Sequence, residues 1–240
     1  GLLGYDAKYE SALLDILGKT SRQEADRYAK ELRVPSPLLV TTVKPEGTLS
    51  LVANGVSSGL HYSHAPYYIR RIRINAADPL AQAMVEMGFT VNPEVGTKGE
   101  THEERMKNAR TLVIDFPIKS GATRTKDDVS ALEQLDTYFE FQRYYTEHNS
   151  SNTITVKADE WDGVEQRIFD NWEEFTAVSF LAHDGGSYAL APYEAISKEK
   201  YEELAAKQPT FDPSILEKYE TGEDFDIDDS ACENGVCPTR

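Results

Sequence analysis

The stretch LLVTTVKPEGTLSLVANG, residues 38–55, places a strand, a loop and a helix in immediate succession. Leu38 to Val43 is an uncharged run of apolar and β-branched residues, a pattern typical of a buried strand. The run breaks at KPEGTLS, and LSLVANG then predicts a short helix that stops at Gly55. A buried strand that leads directly into a helix favours an α/β fold.

Strands and helices continue to alternate on both sides of this stretch. Ser21 to Glu24 forms a capping-box pattern ahead of a helix that Pro35 and Pro37 would end. Further strands are predicted at RRIRI (70–74), RTLVIDFPI (110–118), NTITVKA (152–158) and FTAVSFLA (175–182). Further helices are predicted over residues 78–88, after Thr125 and Asp128, after Asp159 with Trp161 and Trp172 on the core face, and over residues 197–207. The alternation predicts largely parallel strands.

Composition limits the classes of partner. The 240 residues include 41 acidic and 25 basic side chains, which gives a formal net charge of −16. Nucleic acid is not an expected partner, because binding to its phosphate backbone favours a basic face. No run approaches the roughly 18 apolar residues of a membrane span, so no membrane partner is expected. Two cysteines do not make a disulfide scaffold, and the cytoplasm is the expected compartment.

The sequence ends in ACENGVCPTR, which contains the only two cysteines, Cys232 and Cys237. Between Glu217 and Glu233 there are eight acidic residues and one lysine, a composition that predicts a solvated tail. Asn234-Gly235 favours a tight turn that would bring the two thiols within disulfide distance. From these residues alone, a redox shuttle, a zinc site completed by two further ligands and a pair of inactive surface thiols all remain open.

The loop after Val43 is a second candidate site. Gly47 would let the backbone approach a ligand closely, and Thr48 and Ser50 carry hydroxyl groups. The helix that follows presents its N-terminus, where backbone N–H groups attract anions. The loop is therefore a candidate phosphate site, and a simple Pro-Gly turn with a Ser or Thr cap is the alternative.

Two further polar groups also have alternative interpretations. His61 and His64 would share one face of a strand and could then bind a metal, or they are polar residues of a surface loop. Arg70, Arg71 and Arg73 form the only basic cluster. They either help to bind phosphate or form a solvated strand face that balances nearby acids.

Several motifs together resemble one family. VKPEGTLSLVANGVSSGLHYSHAPYYIRRIRI, HNSSNTITVKADEW and APYEAI, followed by the Cys-x4-Cys tail, are similar to the C-terminal part of class II, adenosylcobalamin-dependent ribonucleotide reductases. The monomeric ribonucleoside-triphosphate reductases are the most similar type, and the resemblance extends over essentially the whole chain. It implies the C-terminal part of a ten-stranded α/β barrel over residues 1–212, followed by a flexible redox tail over residues 213–240.

The resemblance also implies roles for individual residues. Cys232 and Cys237 match the pair that reduces a disulfide formed inside the barrel, and thioredoxin then re-reduces this pair. The stretch HDGGSYALAPYE (183–194) follows a barrel strand and would line the mouth of the active site. Glu46 stands where many relatives have a small residue. The family's substrate-phosphate loop corresponds to Pro45, Glu46, Gly47, Thr48, Leu49 and Ser50.

The implied reaction removes the ribose 2′-hydroxyl of a ribonucleoside triphosphate by thiyl-radical chemistry. Because the only cysteines lie in the tail, the radical cysteine and the internal pair must lie outside this chain. We therefore expect a segment that is inactive alone and works with the remainder of the reductase chain or with a complementary subunit. The adenosylcobalamin site would lie mainly in that other part. The alternatives are a stand-alone thiol-disulfide carrier or interaction module, and an inactive truncated fragment.

Overall fold

The computed structural model describes residues 7–53, 56–183 and 188–220. Helices and strands alternate along these ranges, as the sequence predicts. The helices are α1 (Ala7–Leu32), α2 (Leu49–Val52), α3 (Pro79–Glu86), α4 (His102–Asn108), α5 (Ala131–Tyr144), α6 (Trp161–Asp170) and α7 (Lys198–Lys207), with 3₁₀ helices at Trp172–Glu174 and Pro213–Lys218. The strands are β1 (Tyr67–Asn75), β2 (Val91–Pro93), β3 (Thr111–Lys119), β4 (Thr153–Val156), β5 (Ser179–Ala182) and β6 (Tyr193–Ala195).

These elements form two compact units, each assembled from two separate stretches of sequence. The first unit takes its residues from Gly1–Pro66 and Lys119–Gly186, and the second from Tyr67–Ile118 and Ser187–Arg240. Each unit has its own sheet. None of the helices in the described ranges is long and apolar enough to cross a membrane.

In the first unit, β4 and β5 form a two-stranded parallel sheet, with Ile154 opposite Phe180. Helix α5 covers it with a stripe of buried side chains, and the Tyr138 ring is fully buried. The Tyr138 hydroxyl is satisfied because it donates to Asn149 Oδ1 and accepts from the Thr176 N–H. The buried cluster consists of Ala131, Leu135, Tyr138, Phe139, Ile154, Val156 and Val164.

Two predicted helix starts in this unit are wrong. Ser21 lies inside α1, a single helix of 26 residues, so the capping-box pattern at Ser21 to Glu24 does not mark a helix start. Helix α5 begins after Ser130, whose hydroxyl accepts from the Glu133 N–H at 3.1 Å. Thr125 and Asp128 instead bond to each other in the turn before it. Local capping patterns recur along a polar sequence, and only the packed helix decides which one is used.

The predicted strand over Leu38 to Val43 is also wrong. The segment is extended but makes only one isolated bridge, in which Val43 lies parallel to Ser150. Leu38 is 94% exposed and Leu39 is 46% exposed. Since no strand of the described residues pairs along the other side of the segment, its apolar side chains meet solvent. Arg22 fixes the start of the segment by donating to the carbonyl oxygens of Pro37 and Leu38.

The second unit contains a four-stranded sheet in the order β2-β3-β1-β6. β1 and β6 are antiparallel, as are β2 and β3, so the prediction of largely parallel strands is wrong for this sheet. The six strands of the described ranges form two small sheets. A mixed α/β fold is therefore confirmed, and a ten-stranded barrel is not.

Helix α3 packs on this sheet and also holds the segment that follows α7. The predicted helix over residues 78–88 is confirmed, and Asp78 caps it by accepting from the Leu80 N–H at 2.8 Å. At the other end of α3, Lys218 Nζ lies 2.7 Å from both carboxylate oxygens of Glu86, and the Tyr219 hydroxyl also donates to this carboxylate. Two ion-paired groups and a phenol thus fix residues 213–219 to α3.

Candidate functional site

The candidate loop over residues 45–50 starts from a firmly held segment. The Thr42 hydroxyl donates to the Asn149 carbonyl oxygen at 3.0 Å, and the Ser151 N–H donates to the Val43 carbonyl oxygen at 2.9 Å. These bonds lie on the stretch that leads into β4, the more buried strand of the first unit's two-stranded sheet. The chain therefore enters the loop from a fixed position, although it is not part of a strand.

Glu46, and not Gly47, makes the sharp turn of the loop. Glu46 has a φ of 57°, the left-handed region that few residues other than glycine adopt. Its carbonyl oxygen accepts from the Ser50 N–H at 3.1 Å. A Cβ atom added at Gly47 would meet nothing within 4 Å. The absence of a side chain at Gly47 thus leaves an open surface rather than relieving a clash.

Three consecutive residues of the loop have unpaired backbone donors. Gly47, Thr48 and Leu49 are exposed, and within the described ranges their N–H groups donate to no acceptor. Successive unpaired N–H groups of this kind suit an anion. Helix α2, which follows, has only one turn and therefore a weak dipole. The N–H donors of the loop would contribute more to anion binding than this dipole.

Ser50 has a different position from the rest of the loop. It is 8% exposed, and its hydroxyl lies 3.1 Å from the Ser58 hydroxyl. The two side chains connect the start of α2 to the segment that returns towards β1. Ser50 therefore stabilises the loop through a buried hydroxyl contact, whereas Gly47 and Thr48 are exposed.

Gly59 is a supporting residue that the sequence analysis missed. Its φ is +52°, and a Cβ atom there would lie 2.5 Å from the Lys44 carbonyl oxygen and 3.4 Å from that of Pro45. Only glycine allows the returning chain to pass this close to the start of the loop. The sequence feature that could have identified Gly59 is its position in VSSGLH, where a glycine stands outside any helix or strand pattern.

His61 holds the same returning segment against the sheet. Its Nδ1 lies 2.8 Å from the Ser58 carbonyl oxygen, and its Nε2 accepts from the Thr153 N–H at 3.1 Å. These partners require the neutral ring with its proton on Nδ1. Since both nitrogens are used within the protein, His61 is not a metal ligand here.

His64 lies in a different environment. Burial lowers the pKa of the His64 imidazole, and the positive charge of Lys126 lowers it further. Within the described ranges, no group of three or more His, Cys, Asp or Glu side chains is arranged to hold a metal ion. Of the two interpretations of His61 and His64, the structure therefore favours polar residues of a loop over a metal site.

The predicted basic cluster is mainly structural, and Arg71 is its centre. Arg71 is 7% exposed, so the interpretation as a solvated face is wrong for this residue. Its guanidinium donates to Asp115 at 3.1 Å, to Glu194 at 2.5 Å and to the Ala191 carbonyl oxygen at 3.0 Å. Burial raises the pKa of the Asp115 carboxyl, and the neighbouring Arg71 charge opposes that rise.

Arg70 and Arg73 hold the same short segment before β6. Arg70 donates to the Pro192 carbonyl oxygen at 3.2 Å, and its guanidinium lies 4.3 Å from the centre of the Tyr193 ring. Arg73 donates to the Leu190 carbonyl oxygen at 3.3 Å. The cluster therefore binds three consecutive carbonyl groups, at residues 190–192, which gives its arginines a structural role in this segment.

The remaining predicted site residues are only partly visible. Cys232 and Cys237 lie outside the described residues, as does the end of the predicted helix at Gly55. In the predicted stretch 183–194, residues 184–187 are also outside. His183, at its start, lies 2.8 Å from the Asp127 carboxylate.

Comparison with known proteins gives a consistent result. No protein-family model matches the chain. The adenosylcobalamin-dependent ribonucleoside-triphosphate reductase of Lactobacillus gasseri is 35% identical over 234 residues, which cover 90% of this chain and 29% of that protein. The enzyme of the same name from Lactobacillus acidophilus is 32% identical over 236 residues, covering 95% of this chain and 30% of that protein.

A solved structure supports the same relationship. The crystal structure of a B12-dependent (class II) ribonucleotide reductase superimposes with a TM-score of 0.73 at 29% sequence identity. The match covers 92% of this chain and 30% of the reductase chain. The chain is homologous to a segment of the class II ribonucleotide reductases. It spans about 30% of the length of the curated relatives it matches.

Proposed function

We propose that this chain works as a segment of a ribonucleoside-triphosphate reductase, and that its loop at residues 45–50 binds the substrate phosphates. The observation that carries the proposal is the row of unpaired N–H groups at Gly47, Thr48 and Leu49, on a chain homologous to these reductases. Residues 1–212 would form part of the catalytic domain and residues 213–240 a redox tail.

Recognition of phosphate by backbone N–H groups is compatible with a chain of net charge −16. Phosphate is bound here by N–H groups, which need no basic side chain and do not depend on the arginines of the second unit. Gly47 has room for a phosphate oxygen because nothing lies within 4 Å of its missing Cβ. Glu46 contributes the turn through its backbone, and its carboxylate must point away from the bound phosphate.

The tail pair, Cys232 and Cys237, would supply electrons. Loss of the ribose 2′-hydroxyl as water consumes two electrons, which two thiols elsewhere in the reductase provide as they form a disulfide. Thiol-disulfide exchange with the tail restores those thiols and oxidises Cys232 and Cys237 to a disulfide. Thioredoxin, or a dithiol of the same chemistry, then reduces the tail.

We assign the adenosylcobalamin site to the remainder of the reductase. When bound, this cofactor supplies the radical with which the reaction starts. The assignment follows from length, because this chain corresponds to only about 30% of the reductases it resembles. The task of this chain is then to hold the substrate phosphates and to deliver electrons.

A chimaeric enzyme tests the proposal directly. The homologous segment of the Lactobacillus gasseri reductase is replaced by this chain, and deoxyribonucleotide formation is measured with adenosylcobalamin and thioredoxin. We expect turnover that Cys232→Ser abolishes with thioredoxin but not with a small dithiol that can enter the active site. Gly47→Ala should raise KM for the substrate at least about tenfold, since a methyl group would stand in the phosphate position.

The same experiment identifies the failures. A folded chimaera with no turnover would contradict the reductase assignment. Turnover that is indifferent to Gly47→Ala would remove the loop from the phosphate site, and turnover indifferent to Cys232→Ser would remove the tail from the electron pathway. Gly163→Ala, where an added Cβ atom makes only ordinary contact with Leu132 at 3.5 Å and φ is not positive, controls for a glycine-to-alanine substitution outside the loop.

A further inference from the structure

Ionisable side chains lie together at the carboxyl ends of β4 and β5 in the first unit. His183 directly follows β5, and its N–H donates to the carbonyl oxygen of Val156, the last residue of β4, at 2.8 Å. Asp127, from the turn before α5, contacts the His183 ring. Lys126 contacts Asp127, and His64 interacts electrostatically with both of these residues. In open α/β sheets, ligands bind outside the carboxyl ends of the strands, so the cluster lies where a reaction is expected.

Asp127 orients the His183 ring. Burial raises the pKa of the Asp127 carboxyl, but hydrogen bonds from His183 and Lys126 outweigh burial and hold that pKa below its ordinary value. Lys126 Nζ and His183 Nε2 lie 3.0 Å and 2.8 Å from the same carboxylate oxygen, Asp127 Oδ1. Because an ionised carboxylate only accepts hydrogen bonds, Nε2 carries the ring proton of His183. In the neutral ring, Nδ1 then has the unprotonated lone pair.

This second nitrogen of His183 is available to a reactant. Nδ1 has no hydrogen-bond partner within the described ranges, and the side chain is 29% exposed. An imidazole that a carboxylate orients through one nitrogen can accept a proton at the other, which is the arrangement of a general base. His61 cannot act in this way, because both of its nitrogens bind within the protein. The sequence analysis assigned no chemical role to His183.

Within the proposed function, electron transfer is the step that needs a base. Backbone N–H groups hold phosphate without moving a proton, whereas a thiol attacks a disulfide only as the thiolate. Asp228, Asp229 and Glu233 stand close in sequence to Cys232, and their negative charges oppose the loss of the thiol proton. A base beside the dithiol would offset this effect.

We propose that His183, with Asp127 as its positioning residue, accepts the proton of the tail thiol that attacks the disulfide of the reductase. This inference rests on the proposed function, because it takes the tail dithiol as the reductant. Nδ1 takes the proton of one tail thiol, and the thiolate attacks one sulfur of the disulfide to form a mixed disulfide. The other sulfur leaves as a thiolate and takes the proton back from the His183 imidazolium. The second tail thiol then breaks the mixed disulfide by the same route, which leaves the tail oxidised and both reductase thiols reduced.

The full chain tests this proposal, because its only two cysteines are the reacting pair. The reduced chain is mixed with the aromatic disulfide DTNB, and release of the coloured thiolate is followed by stopped flow from about pH 6 to about pH 9.5. We expect His183→Gln to slow the reaction at neutral pH at least about tenfold. The difference should shrink above about pH 8.5, where a thiol ionises without help. Imidazole in the buffer should restore part of the rate of His183→Ala.

The neighbouring groups define the control variants. The titratable residues of the turn before α5, of the segment around His64 and of the end of β4 are His64, Lys126, Asp127, Asp128 and Lys157. Lysines and carboxylates ordinarily titrate outside the neutral range, so His64 is the competing base and His64→Gln is measured in parallel. Asp127→Asn should also slow the reaction at neutral pH. His102→Gln, at an exposed histidine of α4 in the second unit, should leave the rate unchanged.

Three outcomes overturn the assignment of the base. The first is an equal pH profile for the unaltered chain and His183→Gln. The second is a slowing of the same size at every pH without rescue by imidazole, because loss of a structural contact has no such pH dependence. The third is a slowing by His64→Gln and not by His183→Gln, which transfers the role to His64. The proposed function fails separately, when turnover of the chimaera is indifferent to Cys232→Ser.

Discussion

The sheet of the second unit buries a charged side chain, whereas the α6 face of the first unit exposes aromatic side chains. In the second unit, the Arg71 guanidinium is buried and meets Asp115, Glu194 and a carbonyl oxygen, so that its charge is balanced internally. In the first unit, Phe169 and Trp172 remain more than half exposed beside a well-packed core. Burial of a charge requires partners within the same unit. Exposed aromatic rings instead leave an apolar surface in contact with solvent.

The largest effect is expected from loss of the buried charge pair. Arg71→Ala leaves Asp115 buried without its cation and frees the carbonyl group of Ala191, which should lower the free energy of unfolding by about 3–5 kcal/mol. Urea denaturation followed by circular dichroism measures this. Lys107→Ala, which breaks an exposed pair with Glu103, should cost only about 0.3–0.5 kcal/mol. Similar costs for the two variants would show that the second unit is not held by Arg71.

Two apolar substitutions sharpen the contrast within the first unit. Leu135→Ala removes a fully buried side chain of the α5 stripe and should cost about 2–5 kcal/mol. Phe169→Ala should change the free energy of unfolding of this chain by less than about 0.5 kcal/mol, because the ring contacts mainly solvent. Thermal denaturation of both variants tests this. A large loss for Phe169→Ala would mean that the α6 face is already packed.

A pair of glycine substitutions separates support of the loop from ligand binding. Gly59→Ala should cost about 1–3 kcal/mol, because alanine is strained at its positive φ and its methyl group meets the Lys44 carbonyl oxygen. Gly47→Ala should leave stability within about 0.5 kcal/mol. Differential scanning calorimetry compares the two. Equal destabilisation would show that Gly47 serves the turn rather than an outside ligand.

The smallest effect concerns the attachment of residues 213–219. The Lys218 ammonium and the Tyr219 hydroxyl lower the pKa of the Glu86 carboxyl. A lowered pKa in the folded state means that the contact stabilises fully above the ordinary glutamate value and is lost as pH falls through the folded-state pKa. NMR signals of Lys218 and Phe211 should therefore shift together in the acid range. Glu86→Gln should abolish that pH dependence, and its persistence would assign the transition to another group.

The sequence predicted those elements whose partners lie within the chain. The predicted helix at 78–88 corresponds to α3, and the predicted strands at 70–74 and 110–118 correspond to β1 and β3 of the same four-stranded sheet. The apolar run at 38–43 and the tryptophans of α6 were placed in a core because apolar residues are usually buried. Composition does not say which other side chains cover them, and in this structure Leu38, Trp161 and Trp172 are exposed.

For the candidate site too, the sequence predicted the position of the loop but not its detailed geometry. The resemblance located the loop at residues 45–50, but it did not show that Glu46 adopts the left-handed conformation or that Ser50 faces inward. Gly59 and His61 were missed as supports because both act on atoms distant in sequence, such as the Thr153 N–H. Such contacts depend on tertiary structure, which a pattern of neighbouring residues does not encode.

The division of each unit into two stretches has a consequence during protein synthesis. Arg71 is made long before Glu194, its partner 123 positions later in the chain. At about 5–20 residues per second, the ribosome needs about 6–25 s to supply that carboxylate. Throughout this interval β1 is a nascent strand without its neighbour β6. The positive charges of Arg70, Arg71 and Arg73 then act as gatekeepers, because mutual repulsion opposes the pairing of identical strands from adjacent ribosomes.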